Sequence, residues 1–78
     1  MRDGERIESQ RMEARVEARI RLRAIVDIVP GSRIKMKLSA AAESLGWHVR
    51  RTEAIYHGEA VHIESWEMDA LRAYVPKD

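Results

Sequence analysis

From Glu5 to Val29 the chain runs without a glycine or proline, and Ala18, Leu22, Ile25 and Val29 recur at steps of four, three and four. That is the repeat of one face of an α-helix, in a segment rich in the helix formers Arg, Glu, Ala, Met and Leu. Its first half is nearly all charge, with Ile7, Met12 and Val16 as the apolar interruptions. The pattern predicts a long helix whose end packs in a core and whose beginning projects or pairs with another chain. Pro30-Gly31 stops it.

The period of helical steps resumes at once. Ser32 is placed to cap a second helix in which Ile34, Leu38, Ala41, Ala42 and Leu45 share one face, and Gly46 supplies its exit. A third helix follows from His48 to His57, with Val49, Thr52, Ile55 and Tyr56 on one side and His48, Arg50, Arg51 and Ala54 elsewhere. Gly58 closes it, GEAVHI reads as a loop, and a last helix from Glu64 to Tyr74 is expected to bury Trp66, Ala70, Leu71 and Tyr74. No segment alternates as a strand does. The expected fold is all-α, a small bundle of about four helices with a long N-terminal helix spanning residues 1–30 and a compact unit spanning 31–78.

Size agrees with that economy. The chain has 78 residues, 45% hydrophobic and 35% charged, near the lower limit for an independent core. A core this small often gains stability from a second copy, and the long first helix is the natural dimerisation or accessory element. There is no cysteine, which excludes disulfides and thiolate metal sites. The opening MRDGERIESQRMEAR alternates charge where a secretion signal needs an apolar run, and no stretch approaches the ~20 apolar residues of a membrane span, so a cytoplasmic protein is expected.

Net charge is only +1, but it is unevenly distributed. Residues 1–27 hold seven arginines against six acids, and residues 52–78 hold two cations against six acids. Between them, Arg33, Lys35, Lys37, Arg50 and Arg51 face Glu43 alone, a basic block of the kind that phosphate contact requires.

Two helices joined by a turn too short for anything but a sharp crossing, with a small residue where they approach, make a helix-turn-helix. Ala42, Leu45, Gly46, Ile55 and Gly58 carry that pattern, with Glu64–Leu71 in the place of a closing helix. At these positions AAESLGWHVRRTEAIYHGEAVHIESWEMDAL resembles the helix-turn-helix of small bacterial and phage repressors of the lambda-repressor-like class, over roughly residues 34–74. The chain departs from that pattern at Thr52, where a larger aliphatic is usual, at Val49, where a polar residue is common, and in the length of its first helix.

The resemblance implies a sequence-specific DNA-binding transcriptional regulator that acts as a homodimer on double-stranded DNA, with no cofactor and no catalytic step. It makes the third helix the recognition helix, presenting His48, Arg50, Arg51, Ala54 and His57. Arg50 is then the residue for a guanine edge, Arg51 for the backbone, and His48 for a phosphate oxygen at the helix start. Arg33, Lys35 and Lys37 would clamp flanking phosphates, although Lys35 and Lys37 are two apart and do not share a helical face.

Other chemistry has less support. His48, His57 and His62 are spaced by nine and five, which matches no one-turn ligand pair, so no metal site is expected. No nucleophile motif, P-loop or pocketed carboxylate pair points to an enzyme. Arg11, Arg15 and Arg19 form a strip at spacing four that suits DNA, an acidic partner or simply solvent. The competing function is a helical protein-interaction module, such as an adaptor, an antitoxin-like partner or a phage assembly component, with no direct DNA readout.

Overall fold

The structure, a computed structural model, describes the backbone of residues 3–75 and the side chains of residues 13–75. It contains four helices, α1 (Asp3–Ile28), α2 (Ile34–Leu45), α3 (Val49–Tyr56) and α4 (Ser65–Ala73), and no strand among the described residues. The expected all-α bundle with a long first helix is the fold. The expectation that the charged beginning of α1 projects or pairs falls largely on side chains outside the described residues.

The second half of α1 is the spine, and α2, α3 and α4 each pack on it. Its stripe Ala18, Leu22, Ile25 and Val29 is buried as its spacing predicts, joined by Val26. Leu38 and Ala41 of α2, Trp47 of the turn, Ile55 of α3, Ala60, and Met68 and Leu71 of α4 complete one core. α1 therefore serves as the floor on which the compact unit stands.

Two glycines set the geometry of α3. Gly46 lies in the left-handed region at φ 73°, with its N–H donating to the Glu43 carbonyl (3.2 Å) and the Trp47 N–H donating to the Ala42 carbonyl (2.8 Å). This is a Schellman exit, and both Ala42 and Trp47, which it joins, are buried. Gly58 repeats it at φ 75°, with Gly58 N–H on the Ile55 carbonyl (3.2 Å) and Glu59 N–H on the Ala54 carbonyl (2.8 Å). The same hydrogen-bonded exit thus ends α2 and α3, and each turns the chain sharply without leaving carbonyls bare.

Three details differ from the sequence reading. The N-cap of α2 is Arg33, in extended conformation, and Ser32 lies one residue outside the helix with its hydroxyl donating to Met36 Sδ at 3.8 Å. Ile34 sits in the first turn of α2, beyond the edge of the core, and is exposed. Trp66 is 58% exposed, packing edge-on to Trp47 with ring centroids 6.1 Å apart, while the inner face of α4 is formed by Glu67, Met68 and Leu71. A carboxylate holds a core position that the pattern assigned to an indole.

Candidate nucleic-acid interface

α3 is only eight residues long, too short to be stable by itself, and its position depends on what grips its sides. Thr52 and Ile55 anchor it from below. The Thr52 hydroxyl donates to the His48 carbonyl at 3.1 Å, which satisfies the hydroxyl where a larger aliphatic would only pack. At the N-terminus, His48 Nδ1 accepts from the Arg50 N–H at 3.2 Å. That cap leaves the ring proton on Nε2, free to donate outward from an exposed side chain.

One flank is held by Arg51. Its Nε donates to Glu67 Oε2 (2.6 Å) and its Nη2 to Glu67 Oε1 (2.7 Å), and Nη2 also reaches the His62 carbonyl. Glu67 is fully buried and closes the capping box of α4 by accepting from the Glu64 N–H at 2.9 Å. The Arg51 guanidinium holds the Glu67 carboxyl below the usual carboxylate range despite the opposing effect of burial. Arg51 was expected to lie on the outer side and hold the DNA backbone; its guanidinium is instead spent on bracing α3 to α4 and the preceding loop. Ala54, also expected to lie away from the core, packs against it, half-buried, and its carbonyl receives the Glu59 and Ala60 N–H groups.

The other flank faces α1. Arg19 Nε donates to the Tyr56 carbonyl at 3.3 Å, and the Arg23 guanidinium lies 5.3 Å from the Tyr56 ring centre. His57 meets the same ring edge-on at 5.2 Å. Arginines therefore gather where the exposed carbonyls of the α3 C-terminus carry partial negative charge.

What remains outward is narrow. Opposite Thr52 and Ile55, helical geometry places Arg50, Glu53 and His57 in one stripe, with Arg50 and His57 exposed and Glu53 half-buried. Of the cations expected on α2, Arg33 and Lys35 are exposed and Lys37 is half-buried. They sit in the N-terminal half of α2, about 15 Å along its axis from the turn into α3, and Lys35 and Lys37 point to opposite sides. The structure thus brings His48 and Arg50 together at the start of α3, keeps His57 at its end, and leaves the α2 cations as a separate group.

Sequence reasoning missed Glu53, Arg23 and Glu67. The spacing of Glu64 and Glu67 is that of a capping box and could have marked α4, and Arg23 continues the Arg15–Arg19 spacing. Among the described residues there is no cluster of three or more potential metal-ligating side chains and no helix long and apolar enough to cross a membrane. No protein-family model, curated protein or solved structure matches the chain.

Proposed function

We propose that this protein is a sequence-specific double-stranded DNA-binding regulator of the lambda-repressor-like kind, which inserts α3 into the major groove. The observation that carries the reading is the mounting of α3. It is a short helix gripped on both flanks by hydrogen-bonded arginines, and Arg50 and His57, with half-buried Glu53 between them, line its outer face. A fixed polar stripe on a helix that follows a glycine turn is suited to reading base edges.

On this reading Arg50 takes a guanine through O6 and N7, and Glu53 accepts from a cytosine amino group. The His48 Nε2–H holds a phosphate at the groove edge. Arg51 has no base or phosphate to read; it keeps the stripe in register. One such stripe touches few base pairs, so the protein works in two copies on half-sites about one helical turn apart. The exposed apolar line Val16, Ile20 and Ile28 on α1 offers a surface for the second copy.

That same apolar line favours the second reading, a helical module whose partner is another protein. Selection of bound fragments from a random duplex pool separates the two. The regulator reading expects a two-fold symmetric motif, and Arg50→Ala is expected to lose preference at one base pair by about 1–3 kcal/mol. Folded protein that enriches no duplex sinks the reading and favours the protein-interaction module.

A further inference from the structure

The two flanks of α1 treat their arginines differently. On the side facing α4, Arg21 and Arg72 share the Glu17 carboxylate, with distances of 2.8 and 2.7 Å. On the side facing α3, Arg15, Arg19 and Arg23 follow one another at spacing four, and none of them pairs with a carboxylate among the described residues. Arg19 spends its Nε on the Tyr56 carbonyl and Arg23 lies against the Tyr56 ring. All three side chains are exposed. Like charges at this spacing repel along a helix, so the row is a surface that an anion would relieve.

We infer that Arg15, Arg19 and Arg23 form a phosphate clamp beside the reading helix, an inference that rests on the DNA-binding reading of α3. Packed helices stand about 8–10 Å apart. The major groove is about 12 Å wide, so with α3 inside it the neighbouring helix overlies one sugar–phosphate wall. The contacts of Arg19 and Arg23 with Tyr56 fix the row at the C-terminal end of α3, next to exposed His57. Successive arginines advance about 6 Å along α1, a step matched to successive phosphates on one strand. Asp27, one turn beyond Arg23, and Glu59, next to Gly58, are the carboxylates that bound the clamp. The occupant is duplex DNA backbone, held without regard to sequence.

The test uses the full chain and the duplex that wins the selection, with a scrambled duplex beside it, titrated at several salt concentrations. Arg15→Gln with Arg23→Gln is expected to weaken binding to both duplexes alike and to lower the slope of log K against log salt by about 2. Arg15→Gln alone removes no contact among the described residues and is expected to lower the slope by about 1, so the test survives if the double variant fails to fold. Arg21→Gln removes the same charge from the other flank and is expected to change neither slope nor affinity. If the Arg15 and Arg23 variants match wild type, or merely match Arg21→Gln, while Arg50→Ala loses its base preference, the clamp is overturned and the α3 reading stands. Folded wild-type protein that binds neither duplex overturns both.

Discussion

Glu67 and Glu17 each hold an arginine through two hydrogen bonds, Glu67 with Arg51 of α3 and Glu17 with Arg72 of α4, at distances from 2.6 to 2.9 Å. By geometry the forks are twins. The Glu67 side chain has no exposed surface, however, whereas that of Glu17 is 32% exposed. Both carboxyls are held below their ordinary range, Glu17 down to about 2 by hydrogen bonds from Arg72 and then Arg21. Water already solvates the Glu17 charge, so its fork replaces one good environment with another. Glu67 has no such alternative: without Arg51 its charge stands in the core with the Glu64 N–H as its remaining hydrogen bond. A fork's worth is therefore set by what its carboxylate would meet if the arginine left.

The largest effect should follow from Arg51→Ala, which strips the buried carboxylate of its counter-charge. Its expected cost is on the order of 3 kcal/mol, measured by urea unfolding at neutral pH. Glu67→Gln should cost less, on the order of 2 kcal/mol, because the one-third-exposed Arg51 can turn to water and the amide oxygen still accepts. Equal costs, or a larger cost for Glu67→Gln, would break the argument that burial of the acid sets the scale.

The two forks also differ in how acid should expose them. In the wild type the folded Glu67 pKa lies below the ordinary 4.5, so the unfolded chain takes up the proton first. Stability from the pair is present above about pH 4.5 and lost as pH falls from there through the folded value. In Arg51→Ala burial becomes the largest single influence on Glu67, opposed by the Glu64 N–H and His62; the expected outcome is a reversed sign, in which the folded state binds the proton first and stability rises as pH is lowered from neutral. Glu17 titrates in the wild-type sense in both proteins, so the difference between their unfolding midpoints against pH isolates Glu67. Parallel curves would show that the carboxylate is solvated after all.

These forks also mark where the sequence ceased to be legible. The stripe Ala18, Leu22, Ile25 and Val29 and the glycines at 46 and 58 depend on local chemistry, helical period and left-handed backbone, and they placed the helices and the core of α1 correctly. Trp66 and Glu67 did not follow from period, because hydropathy sends the indole inward and the carboxylate outward. The inner position goes to Glu67 because Arg51, 16 residues earlier, comes within reach once α3 and α4 are folded. A partner that distant leaves no periodic trace. For the same reason the arginine row of α1 was legible as a strip, but not that Arg19 and Arg23 meet Tyr56 at the end of α3. The polar stripe on α3 was legible in part: Arg50 and His57 are exposed as the pattern implied, and Arg51 and Ala54 are not outward-facing because α4 and the loop before it close over them.

The smallest effect should come from the exposed fork, and it is the most informative check on the comparison. Glu17→Gln weakens two arginine contacts at once, one within α1 and one to α4, where Glu67→Gln weakens one. Counting contacts ranks Glu17→Gln as the more damaging change; burial ranks it below. The expected outcome is a shift in unfolding midpoint smaller than that of Glu67→Gln. It should vanish near 1 M salt, where the screening length falls to about 3 Å, while the Glu67→Gln shift persists. Salt acts through water, and only the fork that water reaches should respond to it. A Glu17→Gln shift that survives high salt would place this fork with the buried one and make α4 docking on α1 as dependent on charge as its docking on α3.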